Sequence, residues 1–397
     1  MLSLVTLPIL VRELGADGFG IWALLQAFSA TNGWLSITLT GLAVAAVREV
    51  AGAAARPDDD RLGSAVAASF TVLALPGVVL GALMAAVGAP LLDRAFDLDI
   101  DADTLRVATI ALGVTVALDH VFGAIGAVLE GLQRVAAARG LDAVRKTSVA
   151  AAAVVAAVVD GDIDTVAVAA AGATLASVLV AAVVAGADRR VRPTRPAAGQ
   201  VRGVVRYAAT LSTLTATGVL HRTMDRIIAG AVYGPTAVAV VEVANQVQGG
   251  ATALLSATSY PVLSAAPWLH ARDDPAATRS LLERVTRYST VLTLPLVVVI
   301  VVAAGPLVRA WVGDGIGEEA SGLVQVAVLY VAVAAPLQAG SNLLQGIGRA
   351  GAVLRASRRP AMAREMVSPT NTQTGTATKT VDHSCWSCRR EPRSGSR

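Results

Sequence analysis

Residues Ser148 to Gly186 read SVAAAAVVAAVVDGDIDTVAVAAAGATLASVLVAAVVAG. Two runs rich in Ala and Val flank the turn Asp160-Gly-Asp162-Ile-Asp164, which carries acids and no base. Neither run alternates polar with apolar residues, as a barrel strand would, and both are longer than a strand needs to be. A helix rising 1.5 Å per residue crosses the ~30 Å hydrocarbon layer in about 20 residues. In lipid, only helices and closed barrels satisfy every backbone polar group. The stretch therefore predicts two membrane-spanning helices joined by a short acidic turn.

The pattern extends in both directions. Spans are expected near residues 19–47, 63–88, 104–129, 143–159, 164–186, 204–232, 237–266, 288–312 and 320–346, preceded by a short apolar run from Met1 to Val11. The predicted fold class is an all-α integral membrane protein of about ten spans, the first of them short. Composition agrees: charged residues make up 16% of the 397 residues, against about 25% in an ordinary soluble domain.

Charge in the connections tests the span count. Arg48, Arg56 and Arg61 follow the second span, and Asp93 to Asp103 is mainly acidic. Arg134, Arg139, Arg145 and Lys146 come next, then the acidic turn at 160–164, then a run of arginines from Arg189 to Arg206. The turn Tyr233-Gly-Pro-Thr236 is neutral, Arg272 to Arg287 is basic, and Asp314, Glu318 and Glu319 follow. Every second connection is basic, so those connections face the cytoplasm. A wrong span count would break the alternation.

An internal repeat is visible. Leu14-Gly-Ala-Asp-Gly-Phe-Gly-Ile-Trp22 resembles Tyr233-Gly-Pro-Thr-Ala-Val-Ala-Val-Val241, and Leu129-Glu-Gly-Leu-Gln-Arg134 resembles Leu344-Gln-Gly-Ile-Gly-Arg349. The offsets are nearly shared, and an even number of spans separates the copies. The expectation is a parallel repeat about an axis along the membrane normal. It gives an N-terminal bundle over 1–188, a cytoplasmic linker over 189–203 and a C-terminal bundle over 204–350. Residues 351–397 hold nine Lys/Arg and three Asp/Glu and no apolar run, which predicts a disordered basic tail. The repeat predicts two further helices where that tail stands, so a truncation or frame change is expected. The tail accounts for the net charge of +4 and does not mark a nucleic-acid binder. His383, Cys385 and Cys388 supply three of the four ligands a structural zinc takes, so neither a metal site nor a cofactor is expected.

No phosphate-cradling glycine loop, H-E-x-x-H helix or nucleophile elbow occurs, and the connections are too short for a catalytic domain. The informative residues are polar ones inside spans, because charge in lipid is expensive. Span 7 holds His221, Arg222, Asp225 and Arg226. His221 shares a helix face with Asp225 and Arg222 with Arg226, while Arg222 and Asp225 are spaced to pair. Excess positive charge there suits an anionic group such as a diphosphate. An intrahelical ion pair or snorkelling is the alternative. Span 4 carries Asp119 and His120, read either as proton or cation coupling or as a packing hydrogen bond. Glu242, Asn245 and Gln246 share one face of span 8. Gln26, Ser29 and Asn32 do the same on span 2, and Gln26 is 219 residues before Asn245. Polar stripes on equivalent helices suit a central hydrophilic cavity, or interhelical hydrogen bonds. Gln338, Asn342 and Gln345 add a weaker stripe in span 10.

Leu7-Pro-Ile-Leu-Val-Arg-Glu-Leu-Gly-Ala-Asp-Gly-Phe-Gly-Ile-Trp-Ala-Leu24 resembles the N-terminal motif of bacterial polysaccharide biosynthesis proteins of the O-antigen and teichoic-acid exporter type. Met224-Asp-Arg-Ile-Ile-Ala-Gly-Ala-Val-Tyr-Gly234 is similar to that family's seventh-helix motif, and Tyr260-Pro-Val-Leu-Ser264 and Gln345-Gly-Ile-Gly-Arg349 also resemble it. The resemblance implies two helical bundles around a V-shaped cavity that alternates between the two sides of the plasma membrane. It implies a polyprenyl-diphosphate-linked oligosaccharide as cargo, with Arg222 and Arg226 meeting the diphosphate. Membrane lipids and a coupling cation or proton are the other expected partners. The competing readings are a cation-coupled multidrug exporter of the same superfamily, with Asp119 as coupling site, and a truncated, non-functional fragment.

Overall fold

The computed structural model describes the backbone of residues 2–31, 33–55, 59–187, 194–271 and 275–346. Among the described residues there are ten helices and no strand: α1 (Leu2–Ala27), α2 (Ser36–Ala54), α3 (Asp59–Phe96), α4 (Ala102–Gly131), α5 (Val135–Val159), α6 (Ile163–Gly186), α7 (Ala198–Tyr233), α8 (Pro235–Ala271), α9 (Pro275–Val312) and α10 (Asp314–Gly346). The helical membrane class expected from the apolar runs is the observed one.

Several boundaries differ from expectation, among them the start of the ninth span, at Pro275 rather than near 288, and the end of the third, at Phe96 rather than near 88. The second span does not run as one helix over 19–47. It starts after Gly15 within α1, stops at Ala27, and resumes as α2 at Ser36. Between them the chain folds back on itself, with Gly33 N–H donating to Ser29 O and Trp34 N–H to Ala27 O. The Thr31 hydroxyl there donates to the Asp119 carboxylate of α4. The fifth span starts at Val135, not near 143. Arg139, Asp142, Arg145 and Lys146 therefore lie on a helix rather than in a basic connection.

Gly15 breaks α1 with φ 73° and ψ 177°, and Gly234 separates α7 from α8 with φ 84° and ψ −177°. This backbone region belongs to glycine almost alone. The two glycines are 219 residues apart and hold the same conformation. The repeat extends further: α3 and α9 each have 38 residues, with Pro76 and Pro90 inside the one and Pro295 and Pro306 inside the other. Gly15→Ala or Gly234→Ala is expected to cost about 1–3 kcal/mol. Thermal unfolding in detergent micelles checks this, and an unmoved midpoint in both variants would contradict the assignment.

Six of the described helices are long and apolar enough to cross a membrane by length and composition: α2, α3, α4, α6, α9 and the Asp314–Ala335 part of α10. The helices outside that set are α1, α5, α7 and α8. Gln26 of α1, Arg145 and Lys146 of α5, Arg226 of α7 and Glu242 and Gln246 of α8 line cavities. The lipid-facing surface is apolar. Leu75, Val78, Val79 and Leu83 on α3, and Leu292, Val298, Val299 and Val302 on its repeat partner α9, are large hydrophobic side chains left exposed by the fold. On a water-soluble protein such stripes would be aggregation surfaces; here they meet acyl chains.

Helices cross closely where side chains are missing. A Cβ on Gly81 of α3 would strike the Gly113 carbonyl of α4, and one on Gly113 would strike the Gly81 carbonyl. α1 lies at the seam of the two halves. Its Leu7, Leu10 and Val11 pack in one cluster with Ala153 and Ala157 of α5 and with Val240, Val243, Val308 and Val324 of the second half. Trp311 Nε1 of α9 donates to the Leu4 carbonyl at 2.9 Å. α7 leans on the first half: Val204 and Ala208 pack with Ala45 and Val72. The chain entering α7 is tied to the start of α3, with Ala197 N–H donating to Ser64 Oγ at 3.0 Å and Thr194 N–H to Gly63 O at 3.2 Å.

Candidate functional site

Three cavities meet at the break between α1 and α2. A central cavity of about 560 Å³ is lined by Thr6, Trp22 and Gln26 of α1, by Thr31 and Ser36, by Arg226 of α7 and by Glu242, Gln246 and Gly249 of α8. A second, of about 260 Å³, lies among α1, α4, α5 and α6 and shares Thr6, Gln26 and Thr31 with the first. A third, of about 320 Å³, lies among α2, α4 and α5 and reaches Glu130, Arg139 and Asp142. Thr31 lines all three, and Asp119, Arg145 and Lys146 line the last two.

The central cavity holds a charge pair contributed by the two helices that Gly234 joins. Arg226 Nη2 lies 2.6 Å from Glu242 Oε2, and Gln246 Nε2 donates to Glu242 Oε1 at 2.6 Å. The arginine–glutamate contact is one of opposite charges rather than an aligned hydrogen bond. Arg226 Nε and Glu242 Oε2 are buried without an aligned partner. A guanidinium has five N–H donors in a fixed fork, so Arg226 keeps a donor in reserve.

The second charged cluster sits between α4 and α5. Arg145 Nη1 donates to Asp119 Oδ1 at 2.6 Å, and Thr31 Oγ1 donates to Asp119 Oδ2 at 2.8 Å. Both residues of this pair are buried. Arg145 Nη2 also reaches Asp142 Oδ1 at 3.4 Å, and Lys146 Nζ lies 2.7 Å from Asp142 Oδ2. The guanidinium stacks over Phe122, 5.0 Å from the ring centroid, and its Nε is buried without a partner. Next to Asp119, His120 Nδ1 donates to the Val116 carbonyl at 2.8 Å, and its Nε2 lies 3.1 Å from Thr38 Oγ1 of α2. Gly77 of α3 leaves the room that the imidazole occupies.

The geometry sorts the residues singled out from sequence. Gln26, Arg226, Glu242 and Gln246 come together on the central cavity. Asn245 is half-buried and does not line it. Asp225 is exposed. The partner of Arg226 is Glu242, one helix away, so span 7 is not the source of uncompensated charge at this position. The side chains of His221, Arg222, Gln338, Asn342 and Gln345, and residue Asn32, lie outside the described residues, as do His383, Cys385 and Cys388. Asp119 lines the two neighbouring cavities, and His120 is buried beside it without lining any of the three; both have hydrogen-bonding partners.

Arg145, Lys146, Asp142 and Thr31 are the site residues that sequence reasoning missed. A signal was present: Asp142 stands three and four residues before Arg145 and Lys146, the spacing of ion pairs on one helical turn.

A family model described as "Polysaccharide biosynthesis protein" matches residues 1–266, and one described as "MatE" matches residues 216–358. No curated protein is found to match the chain. Among solved structures, a multidrug resistance MATE family transporter of the MOP superfamily in an inward-facing conformation superimposes with a TM-score of 0.67 at 16% identity. The alignment covers 88% of this chain and 82% of that one. MATE in complex with MaL6 gives a TM-score of 0.53 at 14% identity over 90% of this chain and 83% of that one. MATE in the bent conformation gives 0.51 at 16% identity over 88% and 81%. The first model covers well over half of the chain and the superpositions give the same helical architecture, so the chain belongs to the polysaccharide biosynthesis protein family and is a multi-pass membrane protein built on the MATE-like transporter fold.

Proposed function

We propose that the chain translocates a saccharide carried on a polyprenyl diphosphate across the plasma membrane, by alternating access and without covalent chemistry. The observation that carries this reading is the half-buried Arg226 side chain on the wall of the central cavity, paired with Glu242 and keeping its buried Nε without a hydrogen bond, in a member of a polysaccharide biosynthesis family. Placing an arginine at bilayer depth costs about 2.5–3.5 kcal/mol on insertion scales. An anionic cargo group gives that cost a use, since guanidinium and phosphate match in charge and geometry. A cavity of about 560 Å³ lies within the range of small-molecule sites and takes the diphosphate with the first sugars. The long lipid tail stays in the bilayer.

In this reading residues 1–188 and 204–350 are the two moving bundles, residues 189–203 are their cytoplasmic linker, and the basic connections face the cytoplasm. Gln26, Glu242 and Gln246 are the hydrogen-bonding partners for sugar hydroxyls, and Arg222 is the second candidate for the diphosphate. Asp119 has both oxygens engaged, so a coupling cation or proton at Asp119 or His120 requires the pair with Arg145 to open.

The test is deletion of the gene followed by assay of leaflet distribution. Accumulation of a lipid-linked saccharide on the cytoplasmic leaflet is expected. The wild-type chain restores translocation, and Arg226→Ala slows it by about tenfold, the loss of roughly one charged hydrogen bond. The MatE match over 216–358 favours a second reading, a multidrug exporter. Raised drug sensitivity on deletion, with no saccharide accumulation, would select it instead.

A further inference from the structure

We propose that Arg145 and Lys146 form an oxyanion site, separate from Arg226, whose occupation releases the break between α1 and α2. Asp142, Arg145 and Lys146 share one face of α5, and the single carboxylate of Asp142 is approached by both cations. Its side chain is 30% exposed, while that of Arg145 is 10% exposed. The acid is therefore the movable member and the guanidinium the fixed one. Phe122 holds the guanidinium plane from below. Arg145 Nε has no partner although it is buried. The cluster stands where the cavities of about 260 and 320 Å³ meet, so a small polar ligand has room beside it.

A phosphate or diphosphate presents more acceptor oxygens than Asp142 and more negative charge, and it suits the bidentate fork of arginine. It replaces Asp142 between the two cations and competes with Asp119 for the guanidinium. Two consecutive residues of α4 hold the break from both sides. Asp119 accepts from Thr31, inside it, and His120 contacts Thr38, just beyond it. Drawing Arg145 toward an oxyanion unties Asp119 from α5, so the carboxylate that holds Thr31 is itself no longer fixed. The break then gains freedom at the point where all three cavities meet. The site becomes a sensor that reports a bound oxyanion to the second span. Identifying that oxyanion with the diphosphate of a lipid-linked cargo rests on the proposed function; the site itself does not.

The experiment uses the full chain, purified in nanodiscs, with inorganic pyrophosphate as the probe. Binding is followed by calorimetry and the break by amide hydrogen exchange over residues 28–38. Pyrophosphate is expected to bind the wild type and to speed exchange in that segment. Lys146→Gln is expected to weaken binding by about tenfold, the loss of one charged hydrogen bond. Asp142→Asn is expected to strengthen it, because a competing carboxylate is gone. Both positions are partly exposed, so the variants keep the fold. Absence of binding overturns the proposal. So does binding equal in all three proteins, which would trace it to the basic tail, and so does binding that leaves exchange over 28–38 unchanged. A saccharide translocation assay on the same proteins separates the two ideas. Pyrophosphate binding without any translocation by the wild type sinks the flippase reading and leaves the site standing. Translocation without pyrophosphate binding does the reverse.

Discussion

Arg145→Ala is expected to destabilise the folded chain by about 3–5 kcal/mol, the usual penalty for removing one partner of a buried ion pair. The side chain of Asp119 is 3% exposed, and its Oδ1 takes its hydrogen bond from Arg145. Without the guanidinium, a carboxylate is left in a nearly dry site between α4 and α5 with Thr31 as its remaining described donor. The double variant Asp119→Ala/Arg145→Ala should recover much of the loss, because it removes the stranded charge along with its partner. Lys146→Ala is the contrast. Its ammonium pairs with Asp142 at 2.7 Å, but its side chain is 57% exposed, and an exposed pair contributes roughly 0–1 kcal/mol. Unfolding midpoints in a single detergent rank the three. Equal midpoints for Arg145→Ala and Lys146→Ala would show that burial does not govern this cluster.

That cluster also marks the limit of what the linear sequence makes visible. Charge in the connections alternates because orientation depends on it, so the number of helices and their order can be read from arginines and acids alone. The same rule misleads at Arg145 and Lys146. A base at the basic end of a span looks like part of the connection, and its place on a cavity wall follows only from α5 starting at Val135. Arg226 shows a related limit. Its nearest acid in sequence is Asp225, yet Asp225 is exposed and Glu242 supplies the countercharge across a helix junction. Spacing along one helix gives the faces of that helix, and partners on a neighbouring helix depend on packing that no local pattern encodes. The break at Phe28–Leu35 was signalled by Ser29, Thr31 and Gly33, but polar residues within a span serve equally well as a cavity stripe. The repeat was legible for a physical reason. Gly15 and Gly234 occupy a backbone region that excludes other residues, so duplication left glycine at both ends of the 219-residue offset.

The repeat makes the last prediction, at Gly20. Asp17 Oδ1 accepts a hydrogen bond from Thr236 Oγ1, and the two positions are 219 residues apart. Equivalent positions of two copies touch only near the axis that relates them, so the axis of a parallel repeat passes here, on the side away from the basic connections. Three residues on from Asp17, Gly20 lies against the Pro235 carbonyl so closely that any Cβ would overlap it. The obstacle is backbone and cannot swing aside as a flexible side chain would. Gly20→Val is therefore expected to hold the two halves apart on this side while each half folds. In an alternating mechanism the closed arrangement on this side is one of the two required states, so translocation should fall by well over tenfold, or more than ~1.4 kcal/mol. A cross-link reads the separation directly. Cys385 and Cys388 are the native cysteines and are first replaced by Ser. Asp17→Cys and Thr236→Cys are then introduced. Oxidation should join them readily when residue 20 is glycine and poorly when it is valine. Equal cross-linking in both backgrounds would mean that the contact between the halves tolerates a side chain at residue 20, and the axis would have to be sought elsewhere.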